Sequence, residues 1–266
     1  MLKFEWPGPA VPVSLHNHSE MSDGASSVEE LCRAGKASGV REFGVSDHWV
    51  KHPQEGSDQE EWRLAPARLD EYVERLLKLK KELDDDDFTL RLGLEVDFFF
   101  ENADEVLAKL LRYPFDYLIG SVHFAGIFSI DHDRRDWLPL SREEMAEICR
   151  IYWEKLEGAA ARSEFAFLGH LDLPKKFGFI DNTQYLPRAK KVLDVVAQHG
   201  GAIELNTAGW YKECAEAYPA PELLREAAAR RIPVVVSADA HHPDHVTRAF
   251  ERGRGLLREA GYPVGE

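Results

Sequence analysis

The residues most capable of chemistry in this chain are histidines and carboxylates that stand just past apolar runs. Near the carboxyl end an apolar run, 232–236, is followed at once by Asp239-Ala-His241. The same arrangement recurs upstream: His16 and His18 follow 13–15, with Asp23 in the loop beyond, and His48 follows 42–46. Glu95 closes 90–96, His123 follows 115–122, and His170 follows 165–169. Each alone is weak, because an imidazole after a strand is commonly a hydrogen-bonded loop residue. Agreement among six strand ends is what makes the pattern a site.

Imidazole and carboxylate without thiolate suit zinc, iron or manganese. Nine such side chains exceed what one tetrahedral ion can use, whereas three ions sharing carboxylates would absorb them. Metals held that closely lower the pKa of a bridging water and clamp the attacking and leaving oxygens of a phosphoryl displacement.

The elements that must position these groups alternate. Seven apolar runs read as strands, the sixth being 202–205 before Asn206, and most are followed by segments of helical spacing. Ser26 and Ser27 each have a glutamate three residues on, and Ser141 has Glu144, so capping boxes open helices at both places. Strands alternating with helices give right-handed βαβ units and a parallel sheet. Seven units predict an α/β fold, a distorted seven-stranded (β/α)7 TIM-like barrel spanning residues 1–266 as one domain. An open doubly wound sheet is the alternative. Either architecture places its site at the carboxyl ends of the strands. The polar segment 49–64 is too long for a connector and reads as a loop near the site.

Composition narrows the function classes. The chain has 266 residues, 44% hydrophobic and 30% charged, with a formal net charge of −14. That balance disfavours a nucleic-acid surface, which needs clustered Lys and Arg. No run of apolar residues is long enough to span a membrane and no signal peptide is visible, so a cytoplasmic protein is expected. Cys32, Cys149 and Cys214 are scattered and form no Cys-x-x-Cys. The acidic run 84–87 reads as a solvated helix end. His132, His199, His242 and His245 read as loop or helix-end residues, and His52 as a residue of the long loop that could reach substrate.

In order along the chain, His16-x-His18 with Ser22-Asp23-Gly24, Ser46-Asp47-His48, Gly93-Leu-Glu95, Ser121-Val-His123, Gly169-His170-Leu-Asp172 and Asp239-Ala-His241 resemble the motifs of the PHP family, named for polymerase and histidinol phosphatase. The resemblance covers nearly the whole chain. It implies a distorted seven-stranded barrel and up to three divalent metal ions. Carried over by position, one ion would take His16, His18, Glu95 and Asp239. A second would share Glu95 and add His123 and His170. A third would use Asp23, His48 and His241, with Asp23 standing where some members have histidine.

The stretches 169–176 and 204–209, with Lys212 nearby, look like the histidinol-phosphate phosphatase branch of histidine biosynthesis. That implies hydrolysis of L-histidinol phosphate to L-histidinol and phosphate by attack of a metal-bound hydroxide, with His16, His18, Glu95, His123, Asp239 and His241 catalytic. Lys176 and Lys212 then become candidates to hold phosphate, and Asn206 to hydrogen-bond substrate. Asp47 is a candidate to orient a ligand imidazole. The alternatives are another small phosphate ester, nucleic-acid ends, or a non-catalytic metal-binding module. No nucleic-acid or membrane partner is expected, and oligomeric state is left open.

Overall fold

The computed structural model describes residues 12–54 and 62–263. Residues 55–61 of the long loop expected over 49–64 therefore lie outside the described residues.

Among the described residues, ten strands form in chain order: β1 Val13–Ser14, β2 Glu42–Val45, β3 His48–Trp49, β4 Thr89–Asp97, β5 Tyr117–Ser121, β6 Phe124–Ala125, β7 Phe128–Ser129, β8 Phe167–Leu168, β9 Ile203–Asn206 and β10 Val234–Ser237. Seven of them make a parallel path, β1-β2-β4-β5-β8-β9-β10. β3 resumes the line of β2 and pairs with β4, setting His48 opposite Glu95. β6 and β7 form a separate antiparallel hairpin.

The ends of the path meet through a parallel bridge between Asn17 and Ala240. There the His18 amide donates to the Ala240 carbonyl at 2.8 Å and the Ala240 amide to the His16 carbonyl at 3.3 Å. The result is a nearly closed seven-stranded barrel of the distorted (β/α)7 kind, and not an open sheet.

The helices are α1 Val28–Ala37, α2 Leu69–Leu83, α3 Ala103–Leu110, α4 Arg134–Trp137, α5 Arg142–Ala160, α6 Leu186–Gln198, α7 Pro221–Ala229 and α8 Phe250–Ala260. Both expected capping boxes form: Ser27 with Glu30 opens α1 and Ser141 with Glu144 opens α5. The last helix starts at Phe250, after Pro243–His245 makes a separate 3-10 turn. Among the described residues, no helix is long and apolar enough to cross a membrane.

Side-chain alternation in β4 explains both packing and function. Leu90, Leu92, Leu94 and Val96 join the large apolar layer between sheet and helices. Their neighbours Arg91, Gly93, Glu95 and Asp97 face the other way, since successive strand residues point to opposite faces. Tyr117 and Ile119 of β5 make a second, interior cluster with Leu15, Phe167 and Val235. A Cβ on Gly93 would lie 2.2 Å from the Tyr117 ring, and one on Gly44 would meet its hydroxyl. Two glycines thus make room for a tyrosine plug, whose hydroxyl donates to the Leu15 carbonyl. Glu95 sits one step above that plug, at the floor of the barrel mouth.

Candidate metal centre

The nine expected ligand residues come together at the carboxyl rim of the barrel. Glu95, 1% exposed, lies between two sets of imidazoles. Its Oε2 is 2.6 Å from His48 Nδ1, 3.3 Å from His16 Nε2 and 3.7 Å from His18 Nε2. Its Oε1 is 2.8 Å from His170 Nε2 and 3.5 Å from His123 Nε2, and accepts from Ser121 Oγ at 2.6 Å. Asp239 Oδ1 lies 3.1 Å from His18 Nε2 and 3.6 Å from His16 Nε2. On the outer side, Asp23 reaches His241 Nε2 at 3.2 Å and His48 Nε2 at 3.6 Å.

Three overlapping groups have ligand atoms within 4.8 Å of one another: His18, Asp23, His48 and His241; His16, His18 and Glu95; and His48, Glu95 and His123. They overlap the expected sets with three differences, the first being that Asp239 falls outside the inner group although its Oδ1 lies near His16 and His18. His18 also joins the outer group, stacked on both His48 and His241. His48 stands beside Glu95 and His123, with His170 adjoining through Glu95 and His123.

Two observations show that this donor set fits cations. First, His16 Nε2, both ring nitrogens of His18, His48 Nδ1, Glu95 Oε2, His170 Nδ1 and Asp239 Oδ1 are buried and make no hydrogen bond. His48 Nδ1 and Glu95 Oε2 are in that set although they are only 2.6 Å apart. An unpaired buried polar atom costs about 1–3 kcal/mol, so such a cluster is sustained only if something polar fills its centre.

Second, three of these histidines have their outer ring nitrogen already engaged. His16 Nδ1 faces Glu204 Oε2 at 2.9 Å, His123 Nδ1 faces Asp97 Oδ2 at 3.2 Å, and His241 Nδ1 faces the Asp239 carbonyl at 2.9 Å. Each acceptor keeps the proton on Nδ1 and leaves the Nε2 lone pair facing the cluster, the usual arrangement of ligand histidines.

The electrostatic field is that of a cation trap. Burial disfavours charge on His123, but Glu95 and Asp97 outweigh it and push its pKa up to about 10. His16 is raised against burial by Glu204, Asp239 and Glu95. His18 goes the other way, down to about 3, through burial and the neighbouring His48 and His241. Carboxylates that hold a proton on an imidazole attract a divalent ion to the same atoms. Asp239 adopts φ 50°, the left-handed region, which a non-glycine residue occupies at a cost of about 1–2 kcal/mol. That turn aims its carboxylate at His16 and His18 while its carbonyl meets His241.

A cavity of about 510 Å³ opens beside the cluster, and Lys176 and Lys212 are on its wall. Lys176 Nζ donates to the Asp131 carbonyl at 2.6 Å and lies 3.1 Å from its carboxylate. Asn206 is elsewhere: fully buried, its amide donates to Glu204 and Asp239 and its oxygen accepts from the Ala208 amide. Its side chain therefore braces Asp239 from behind and is not part of the cavity wall. Asp47 does not orient His48. It accepts from the Ser19 amide and from the Ser19 and Ser22 hydroxyls, fixing the loop that carries Asp23. His52 lines a separate cavity with Phe99 and Lys155. His132 and His245, read as loop residues, line the main one.

Four polar residues escaped the sequence reading: Asp97, Asp131, Glu204 and Arg248. Asp97 and Glu204 had a usable signal. Each sits two residues from a recognised position on its strand, Glu95 and Asn206, and so on the same face. Asp131 and Arg248 lie in loops, where no periodicity marks them.

A parallel α/β barrel with a buried histidine–carboxylate cluster at its carboxyl rim defines a class of metal-site proteins. Within it, this chain belongs to the PHP domain family, whose model matches residues 14–208. It is 36% identical over 253 residues to a Deinococcus radiodurans protein named "Probable histidinol-phosphatase", covering 92% of each chain. It is 27% identical over 205 residues to the histidinol-phosphatase of Bacillus subtilis, covering 71% of this chain and 76% of that one. Its fold is similar to the histidinol phosphate phosphatase of Lactococcus lactis, solved with zinc, L-histidinol and phosphate. There the TM-score is 0.78 at 21% identity, with 94% of both chains covered.

Proposed function

We propose that this chain is a histidinol-phosphatase, hydrolysing L-histidinol phosphate to L-histidinol and inorganic phosphate. The observation that carries this reading is the juxtaposition of a convergent, unpartnered donor cluster with a cavity whose wall bears Lys176 and Lys212. Relatives that bear the histidinol-phosphatase name and align over nine-tenths of the chain select the substrate among phosphate esters.

The cluster would hold three divalent ions, zinc, iron or manganese. One is assigned His16, His18, Glu95 and Asp239, a second Glu95, His123 and His170, and a third Asp23, His48 and His241. Bound there, such ions supply positive charge to phosphoryl oxygens and acidify water. The rest is the work of the chain. Glu95 ties the donor groups together through its two oxygens. Glu204 and Asp97 fix the His16 and His123 rings. Lys212 and Lys176 draw the phosphate dianion to the cluster. The acidic surroundings of the cavity, Asp131 among them, favour a cationic amine on the leaving group.

Chelation followed by stepwise reconstitution tests this. Phosphate release should vanish with the metal and return in proportion to occupancy, saturating near three ions per chain. Full activity in the metal-free protein would overturn the proposal.

A further inference from the structure

We infer that Arg248 is a direct donor to the substrate's phosphate group, positioned for that task by Tyr211 and Thr207. This deepens the phosphatase reading and rests on it. Four features of Arg248 carry the inference.

It lines the main cavity together with Lys212, His241 and Asp239. Among the described residues it makes no ion pair, although the chain carries a net charge of −14 and most of its arginines are paired. Its Nε is buried and without a hydrogen-bond partner. Its guanidinium carbon lies over the Tyr211 ring, 4.0 Å from the centroid.

An arginine stacked on an aromatic face keeps its in-plane N–H donors for something else. The fork of such donors matches two oxygens of a phosphate or carboxylate. No protein carboxylate fills that role among the described residues, so the planar edge is left for a ligand of the cavity.

The backbone is fixed as deliberately as the side chain. Thr207 Oγ1 donates to the Arg248 carbonyl at 2.7 Å, tying the residue to the rim just past β9. The Arg248 amide donates to the His245 carbonyl at 2.9 Å. Ala249, directly after it, takes φ 61°. A left-handed alanine is an unfavourable way to enter a helix, and it turns the chain so that Arg248 stays at the rim while α8 leaves behind the barrel. Tyr211 and Lys212 are consecutive, so one short segment supplies both the stacking platform and a second cation on the wall. Arg248 gives geometry where Lys212 gives only charge.

The test uses the metal-loaded full chain and three variants, Arg248→Gln, Arg248→Lys and Tyr211→Leu. Four quantities are read: KM and kcat for L-histidinol phosphate, KM for p-nitrophenyl phosphate, inhibition by inorganic phosphate, and inhibition by L-histidinol. Arg248→Gln should weaken phosphate inhibition and raise both KM values by about tenfold or more. Inhibition by L-histidinol and metal content should stay unchanged. Arg248→Lys, which keeps the charge but not the fork, should fall between, and Tyr211→Leu should shift phosphate inhibition in the same direction by less.

Unchanged phosphate inhibition in Arg248→Gln, or a loss confined to L-histidinol, would overturn the inference. If wild type ignores L-histidinol phosphate but cleaves p-nitrophenyl phosphate, the substrate proposal fails while the phosphate readout still judges Arg248. If Arg248→Gln does not fold, Arg248→Lys decides: no change in phosphate inhibition there counts against the fork.

Discussion

Nδ1 of His16 lies 2.9 Å from Oε2 of Glu204, and both side chains are fully buried. Glu204 is the hub beneath the donor cluster: it also accepts from Ser237 Oγ, from Asn206 Nδ2 and from the His170 amide. Replacing it by glutamine keeps the shape but weakens the acceptor that fixes the His16 tautomer. Glu204→Gln should lower metal affinity by about 10–100-fold with little change in the folded state. Equilibrium dialysis against zinc, beside circular dichroism, checks both. Undiminished affinity would show that His16 needs no such partner.

Glu95 touches both sets of imidazoles, so its loss cannot be local. Glu95→Ala should abolish turnover and lower the bound metal per chain, and His123→Ala should do the same. Elemental analysis of the purified variants is the check. A variant with full metal content and full activity would remove Glu95 from the centre.

Lys212 lines the cavity and supplies no atom to the donor groups. Lys212→Ala should raise KM or lower kcat while leaving metal content intact. Metal lost from this variant would contradict a role in holding substrate.

Much of this was legible in the sequence, for physical reasons that can be named. Glu95 is findable because β4 alternates: four apolar residues face the helices and Arg91, Gly93, Glu95 and Asp97 face inward. The capping boxes at Ser27 and Ser141 are local chemistry, complete within four residues. The expected strand over 232–236 begins two residues late because Pro233 has no amide to give to the sheet, although its carbonyl accepts from Ile203.

What could not be read depends on residues far apart in the chain. Arg248 reaches the site through a hydrogen bond from Thr207, 41 residues earlier. Asn206 has a strand-end position that suggested substrate contact, yet its amide is spent on Glu204, Asp239 and Ala208. Asp47 neighbours His48 in sequence but turns to Ser19 and Ser22.

Lys155 gives a prediction about stability. Its side chain is buried, with Nζ donating to the Phe124 carbonyl at 2.8 Å over the Phe99 ring. Burial pushes its pKa down to about 8 from 10.5, only partly opposed by Asp97 and Glu101. Between those values the unfolded chain binds the proton that the folded chain has released, so stability rises with pH across that window. The gain is on the order of 3 kcal/mol. Lys155→Met should lose this component. Urea midpoints of both proteins at the two ends of the window provide the check, and parallel pH profiles would contradict it.

The most direct measurement is phosphate release from L-histidinol phosphate, set beside sugar phosphates, nucleotides and a short single-stranded DNA. The protein would be stripped of metal and then reconstituted with manganese, zinc or iron. A histidinol-phosphatase shows metal-dependent kcat/KM for L-histidinol phosphate far above every other substrate. Equal or greater activity on nucleotides or DNA ends would keep the metal centre and refute the substrate.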